Sequence, residues 1–198
     1  MQLNLDNNFN QTNQQGNAAS YGAHECMECH EILSDAINGI NQFELYRPHV
    51  KDQQLGQILD KQINFMIQEY NNLVNHLHNR GIKPGSTYQA QNNFSPKLGL
   101  RNPSPESPNY NINQLNDRDI ASGMLGCAKS SAVFATLAAL ECTDPNLRNM
   151  MKNCVISKID MAYEIFQYMN QMGFYQVPTM QENTTQTMVN SYQPANML

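Results

Sequence analysis

Two stretches of this chain carry apolar residues at helical spacing, and the second repeats the first at a constant offset of 92 residues. Leu55, Ile58, Leu59, Ile63 and Ile67 fall on Leu147, Met150, Met151, Val155 and Ile159, and Leu73, Val74, Leu77, Gly81 and Ile82 on Ile165, Phe166, Met169, Gly173 and Phe174. Upstream, Ile32, Leu33 and Ala36 fall on Met124, Leu125 and Ala128. Amphipathic helices match one another in part whatever their origin. A shared terminating glycine followed by a hydrophobe, with no gap, is what points to a duplicated αα-hairpin. One hairpin leaves an apolar face uncovered, so two are expected to close on each other as a four-helix bundle.

Start and stop signals set the helix limits. Cys26, Cys29, Leu33, Ile37, Ile40 and Phe43 predict a first helix over 23–47, ended by Pro48. The second carries Leu55, Leu59, Ile63, Ile67, Tyr70, Val74 and Leu77 and stops at Gly81. Asn116 or Asp117 can cap a third, with Ile120, Met124, Ala128, Ala132, Ala135 and Ala139 on one face. Asp144 before Pro145 pairs an N-cap with proline at the first helical position. The helix that follows carries Leu147, Met151, Val155, Ile159, Ala162, Phe166 and Met169 and ends at Gly173. The hairpins are thus 23–81 and 116–175, within a bundle over 23–175. The 34 residues between, 82–115, hold five prolines among Gly, Ser and Asn. As a flexible coil such a linker spans roughly 32 Å, so a long crossover of the ferritin-like kind is open to it. Residues 1–22 and 176–198, rich in Asn, Gln and Thr, read as disordered tails.

Charged residues make up 15% of the chain and the net charge is −5; 27 Asn and 19 Gln supply the missing polarity. An acidic chain with no block of Lys/Arg has no electrostatic footprint for nucleic acid. No apolar run approaches the roughly 20 residues of a bilayer span, and Met1–Ser20 has neither the basic start nor the apolar core of a secretory signal. Nucleic-acid binding and a membrane span are therefore not expected. Five cysteines without an export signal point to a reducing compartment.

A ferritin-like bundle raises the question of a di-iron centre, which needs Glu-x-x-His on two helices and a Glu from each of the others. Here Glu69 is followed at the third position by Asn72, Asp160 by Tyr163 and Glu164 by Gln167, while Asp117, Asp119 and Glu141 lie near the ends of the third helix. The imidazoles are missing, and these carboxylates read as solvated helix faces. No metal or other cofactor is expected. The most conspicuous local pattern is His24-x-Cys26-x-x-Cys29-His30. Cys-x-x-Cys-His is a c-type haem attachment pattern, but attachment needs export; zinc suits thiolates and imidazoles better. Cys26 and Cys29 also lie on an apolar stripe, where free cysteine packs as a small hydrophobe. Core packing is the default for Cys26, Cys29, Cys127, Cys142 and Cys154, with cross-linking the next reading. His24, Cys26, Cys29 and His30 stand as weak metal candidates. His76 and His78 suit the helix dipole at the end of the second helix. No Gly-x-Ser-x-Gly, P-loop or dinucleotide glycine pattern is present, and no nucleophile–base–orienter set stands out.

Asp117-Arg118-Asp119-Ile120-Ala121, Leu125, Ala128-Lys129, Glu141, Pro145 and Leu147-Arg148, with the run from Glu164 through Phe166 and Tyr168-Met169 to Gly173-Phe174-Tyr175, resemble the spore coat protein F family over residues 116–178. The 23–82 hairpin resembles it more loosely. Tyr163 departs from the family's pattern, which favours His there. The resemblance implies an all-α, ferritin-like fold and no established catalytic residues. It also implies a structural component of the endospore coat, made in the mother-cell cytoplasm. Its expected partners are other coat proteins and further copies of itself. The amide-rich tails, nine tyrosines among 16 aromatic residues and five cysteines suit a protein consolidated by cross-links. The competing expectation is a metal-binding or redox ferritin-like enzyme built on Cys26, Cys29 and the neighbouring histidines.

Overall fold

The computed structural model describes residues 21–78, 85–91 and 94–195. Among them are four long helices, α1 (Ala23–Tyr46), α2 (Gln53–Leu77), α3 (Asp117–Glu141) and α4 (Pro145–Met172), and a short α5 (Glu182–Val189). Each long boundary has a local cause. Pro48 sits in a single 3₁₀ turn, Arg47–His49, that ends α1. Asp52 caps α2 by accepting from the Leu55 N–H at 2.9 Å, and Asp144 caps α4 by accepting from Leu147 at 2.7 Å, with Pro145 behind it. Asn116 accepts from Arg118 and Asp119, and Asp119 reaches back to the Asn116 N–H, closing a capping box on α3. Gly173 ends α4 at φ 78°, the left-handed conformation that only glycine adopts without strain. The Gly81 stop and the tail over 1–20 lie outside the described residues.

Side-chain contacts fix the directions. Glu25 near the start of α1 meets Thr143 beyond the end of α3, and Asp35 meets Ser131, so α1 and α3 are antiparallel. Gln62 meets Met161 and Glu69 meets Lys158, so α2 and α4 are antiparallel as well. With antiparallel hairpins on either side, α2 and α3 must run parallel, and the chain between them traverses the length of the bundle. That is the long-crossover topology allowed by the linker. The core has two parts: Phe43, Leu55, Leu59, Ile120, Met124 and Ile165 in one, and Cys29, Leu73, Ala135, Ala138, Leu147 and Met151 in the other.

The internal repeat is visible in the packing. Shifting the Asp35–Ser131 contact by the 92-residue offset, forward for one partner and back for the other, gives Cys127 and Gly39. A Cβ on Gly39 would lie 3.1 Å from the Cys127 sulfur. Small residues let α1 and α3 approach closely here: a Cβ on Gly123 would run into the Tyr46 phenol. Gly126, one turn further on, is different, since nothing lies within 4 Å of where its Cβ would be. A glycine inside a helix costs about 1 kcal/mol against alanine, and no contact among the described residues requires this one.

Two expectations are corrected. Ile159, placed on the core stripe, is 54% exposed, and Lys158 is buried in its stead. Three successive four-residue steps from Leu147 drift around a helix of 3.6 residues per turn, so the buried stripe leaves Val155 and Ile159 for Met161, Ile165 and Tyr168. The tail over 176–198 holds α5, fully exposed, whose Thr185 and Thr187 hydroxyls donate to the carbonyls of Gln181 and Asn183. Among the described residues α3 is the one helix with the length and mean hydropathy of a membrane span. Its Leu, Val, Phe and Ala side chains supply that hydropathy, and its Ala121, Ala128 and Ala135 side packs in the bundle.

Candidate functional site

The centre of the bundle is polar. Lys158 on α4 donates to Glu69 on α2 at 2.9 Å, with side-chain exposures of 8% and 22%. Burial raises the Glu69 carboxyl above its ordinary range against the pull of the ammonium group. Burial alone would lower Lys158, but the Glu69 carboxylate outweighs it and holds the amine protonated. The pair borders a cavity of about 100 Å³, shared with Asp35, Ser131, Cys154 and Met66. Asp35 accepts from the Ser131 hydroxyl at 2.5 Å. A fixed ammonium group at this point repels a divalent cation. Among the described residues, no three His, Cys, Asp or Glu side chains converge as a metal site.

A second polar centre forms around Glu164, which is 1% exposed. Its carboxylate accepts from the Tyr88 hydroxyl, from the Gln91 N–H at 2.8 Å, and from Lys61 and Gln62 at 3.4 Å each. Burial, then the carboxylate, pushes the Tyr88 phenol far above its ordinary value. Tyr88 belongs to the crossover, which is therefore no featureless coil. Its N–H donates to Ser157, its ring packs edge-on against Phe65, and Lys61 sits 4.5 Å above it. Further along, Gln167 donates to the Phe94 carbonyl, and Asn170 both accepts from the Lys97 N–H and donates to its carbonyl. Ser157, Glu164, Gln167 and Asn170 thus cap the backbone of an extended strap laid along α4, which ends in a parallel bridge between Leu98 and Val177. This corrects the reading of Glu69 and Glu164 as solvated carboxylates. Periodicity cannot find these residues, because their partners lie in a segment with no periodicity of its own.

The sequence candidates on α1 are not gathered. Cys26 and His30, one turn apart, are exposed on one face of α1 and His24 on another, while Cys29 points into the core. His24 pairs with Glu141 at 3.4 Å on the surface. His76 is buried against the Tyr21 ring, 3.8 Å from Asp144. All five cysteines are free. Cys26 alone is exposed; Cys127 and Cys154 are half-buried, and Cys29 and Cys142 buried. Burial pushes the thiols of Cys29 and Cys154 up to about 12 and that of Cys142 to about 11, which keeps them protonated and unreactive. A native thiol count should find one fast-reacting group, lost in Cys26→Ser, and five in denaturant. Two or more fast thiols would contradict this packing.

Glu25 was invisible to motif reading because glycine stands where the capping hydroxyl normally does. Its carboxylate accepts from Gly22 at 2.8 Å and from Thr143 and Asp144 at 2.5 Å each, tying the start of α1 to the α3–α4 turn. The Asp144 amide first, then that of Gly22, holds its pKa below the model-compound value of 4.5. A depressed carboxyl adds stability that is fully present above its unfolded pKa and is lost as the pH falls through the folded value. Glu25→Gln should therefore lower the melting temperature at pH 7. The parent and variant curves should converge as the pH drops below about 4.5. Parallel curves across that range would exclude the anchor.

The comparisons with known proteins agree in direction. Residues 116–178 match the Coat F domain. The chain is 33% identical over 177 residues to the spore coat protein F-like protein YhcQ of Bacillus subtilis (strain 168), covering 88% of this chain and 81% of that one. Its fold is similar to the crystal structure of a Bacillus halodurans C-125 protein described as a spore coat protein, with a TM-score of 0.61, 16% identity, and 82% of this chain and 96% of that one covered. At that identity the likeness bears on the fold alone. The kinship with YhcQ runs through both hairpins and the crossover, and by it the chain belongs to the spore coat protein F-like family.

Proposed function

We propose that this protein is a structural component of the bacterial endospore coat, without catalytic activity, that assembles with copies of itself and with other coat proteins. The observation that carries the reading is the 33% identity to a spore coat protein F-like protein across 88% of the chain. The interior supports it: the charged groups that ferritin-like enzymes would commit to a metal are here spent on one another and on the crossover. On this reading the protein is made in the mother-cell cytoplasm and deposited on the forespore. Cross-linking after deposition would use Cys26. Two such thiols from neighbouring chains form one disulfide, with two protons and two electrons passing to dioxygen. A fluorescent fusion expressed in sporulating Bacillus subtilis should form a ring around the forespore and remain with the coat fraction after extraction of the core. Diffuse mother-cell fluorescence would overturn the reading. Elemental analysis of purified protein tests the absence of an enzymatic centre: one tightly held zinc or two irons per chain would bring the enzyme forward.

A further inference from the structure

The outward side of α3 carries Gly126, Ser130, Val133, Leu137 and Leu140, spaced by four, three, four and three residues. That is the spacing with which one helix packs along another. Val133, Leu137 and Leu140 are 60%, 52% and 77% exposed, turned away from α1 and α4. Single exposed apolar residues are ordinary on a protein surface, whereas a continuous seam marks an interaction site. On α4, which packs against α3, Ile156 and Ile159 are exposed as well.

Two features identify what the seam fits. Its residues grow from one end to the other, from glycine through serine and valine to two leucines. A copy laid antiparallel therefore brings Leu140 over Gly126, Leu137 beside Ser130 with an offset of one residue, and Val133 against Val133. On either side of the central valines a large side chain thus meets a small one, as a two-fold interface allows. The second feature is Gly126 itself. It has an ordinary helical backbone and, among the described residues, no neighbour within 4 Å of a Cβ, so no contact among them accounts for it. A leucine side chain arriving from outside does. We propose that two copies of this chain pack through α3, antiparallel, about a two-fold axis at Val133. The inference names the self-contact within the assembling protein described above and rests on that reading only for its biological purpose.

Sedimentation of the full chain over a concentration series tests it. The parent should reach twice its 22.5 kDa mass. Leu137→Glu and Gly126→Leu should each weaken the dimer at least tenfold without loss of helix content, because both sites are exposed and leucine favours a helix more than glycine does. In a Cys26→Ser background, Val133→Cys should oxidise in air to a covalent dimer. Leu140→Cys alone should not, because its two copies stand about 21 Å apart along the axis. Mixed with Gly126→Cys chains, it should cross-link. A chain monomeric at every concentration overturns the proposal, as does a dimer indifferent to both substitutions. So does a chain that dimerises only after residues 1–20 are removed, which would assign the seam to its own tail. Dimers that never reach the coat would sink the coat reading and leave this interface standing; a monomer that reaches the coat does the reverse.

Discussion

Replacing Lys158 by methionine is expected to cost about 3 kcal/mol, and replacing Glu69 as well is expected to restore the loss or exceed the parent. Removing one partner of a buried ion pair strands the other charge, at about 3–5 kcal/mol. The lower end applies because Glu69 keeps 22% of its side-chain exposure beside the cavity. Removing both partners in favour of well-packed apolar groups is commonly neutral or stabilising by about 1–4 kcal/mol. The internal repeat supplies the apolar alternative. Shifted by 92 residues, Glu69 and Lys158 fall on Met161 and Met66, a buried pair in the same core. The duplication thus relates two pairs, each spanning both halves, of which one is two methionines and the other a salt bridge. Glu69→Met with Lys158→Met would make the two pairs alike. Urea unfolding of the parent, both single variants and the double variant gives the coupling directly. A Lys158→Met chain within about 1 kcal/mol of the parent would mean that the cavity hydrates Glu69 well enough to need no partner.

The helices were legible because their ends are written locally. Asp144-Pro145, Asn116 with Asp119, and Gly173 each act within four residues, and the structure places the corresponding boundaries within a residue or two of expectation. The duplication was legible for the same reason: it repeats local signals. The interior polarity was not. Lys158 and Ile159 are adjacent, and a four-residue count from Leu147 favours the isoleucine; only the position of α2, set by tertiary packing, turns the lysine inward. Glu164, Gln167 and Asn170 look like one more polar helix face until the crossover lies against them. Each is then buried and hydrogen-bonded to a residue 73 to 76 positions away. Sequence distance of that size carries no periodic signal. The His24–His30 pattern is dense in sequence, but 3.6 residues per turn leaves Cys26 and His30 on one face and sends His24 and Cys29 to others.

Tyr88→Ala should be the most damaging single change in the crossover, at about 3–5 kcal/mol, the usual cost of emptying a buried aromatic site. Tyr88 is 1% exposed and belongs to the main core although it lies outside every helix. The loss has two separable parts. Tyr88→Phe keeps the ring against Phe65 and under Lys61 but removes the hydroxyl that donates to Glu164. A bond to a buried carboxylate is worth about 1.5–3 kcal/mol, so phenylalanine should lose that share and alanine the whole. Adding Glu164→Gln to Tyr88→Phe should recover part of the loss, because a neutral amide costs less to leave short of donors. The local consequence separates this site from an ordinary core residue. Gln89 and Gln91 reach α2 and α4 only from where Tyr88 holds the strap, through Lys61 and Glu164. Alanine at 88 should therefore make residues 85–101 sensitive to limited proteolysis under conditions where the four helices stay protected. If the strap resists cleavage while global stability falls, the bonds from Gln167 and Asn170 to Phe94 and Lys97 hold it without the tyrosine. Tyr88 would then be a core residue only, and the crossover would owe its course to the second half of α4.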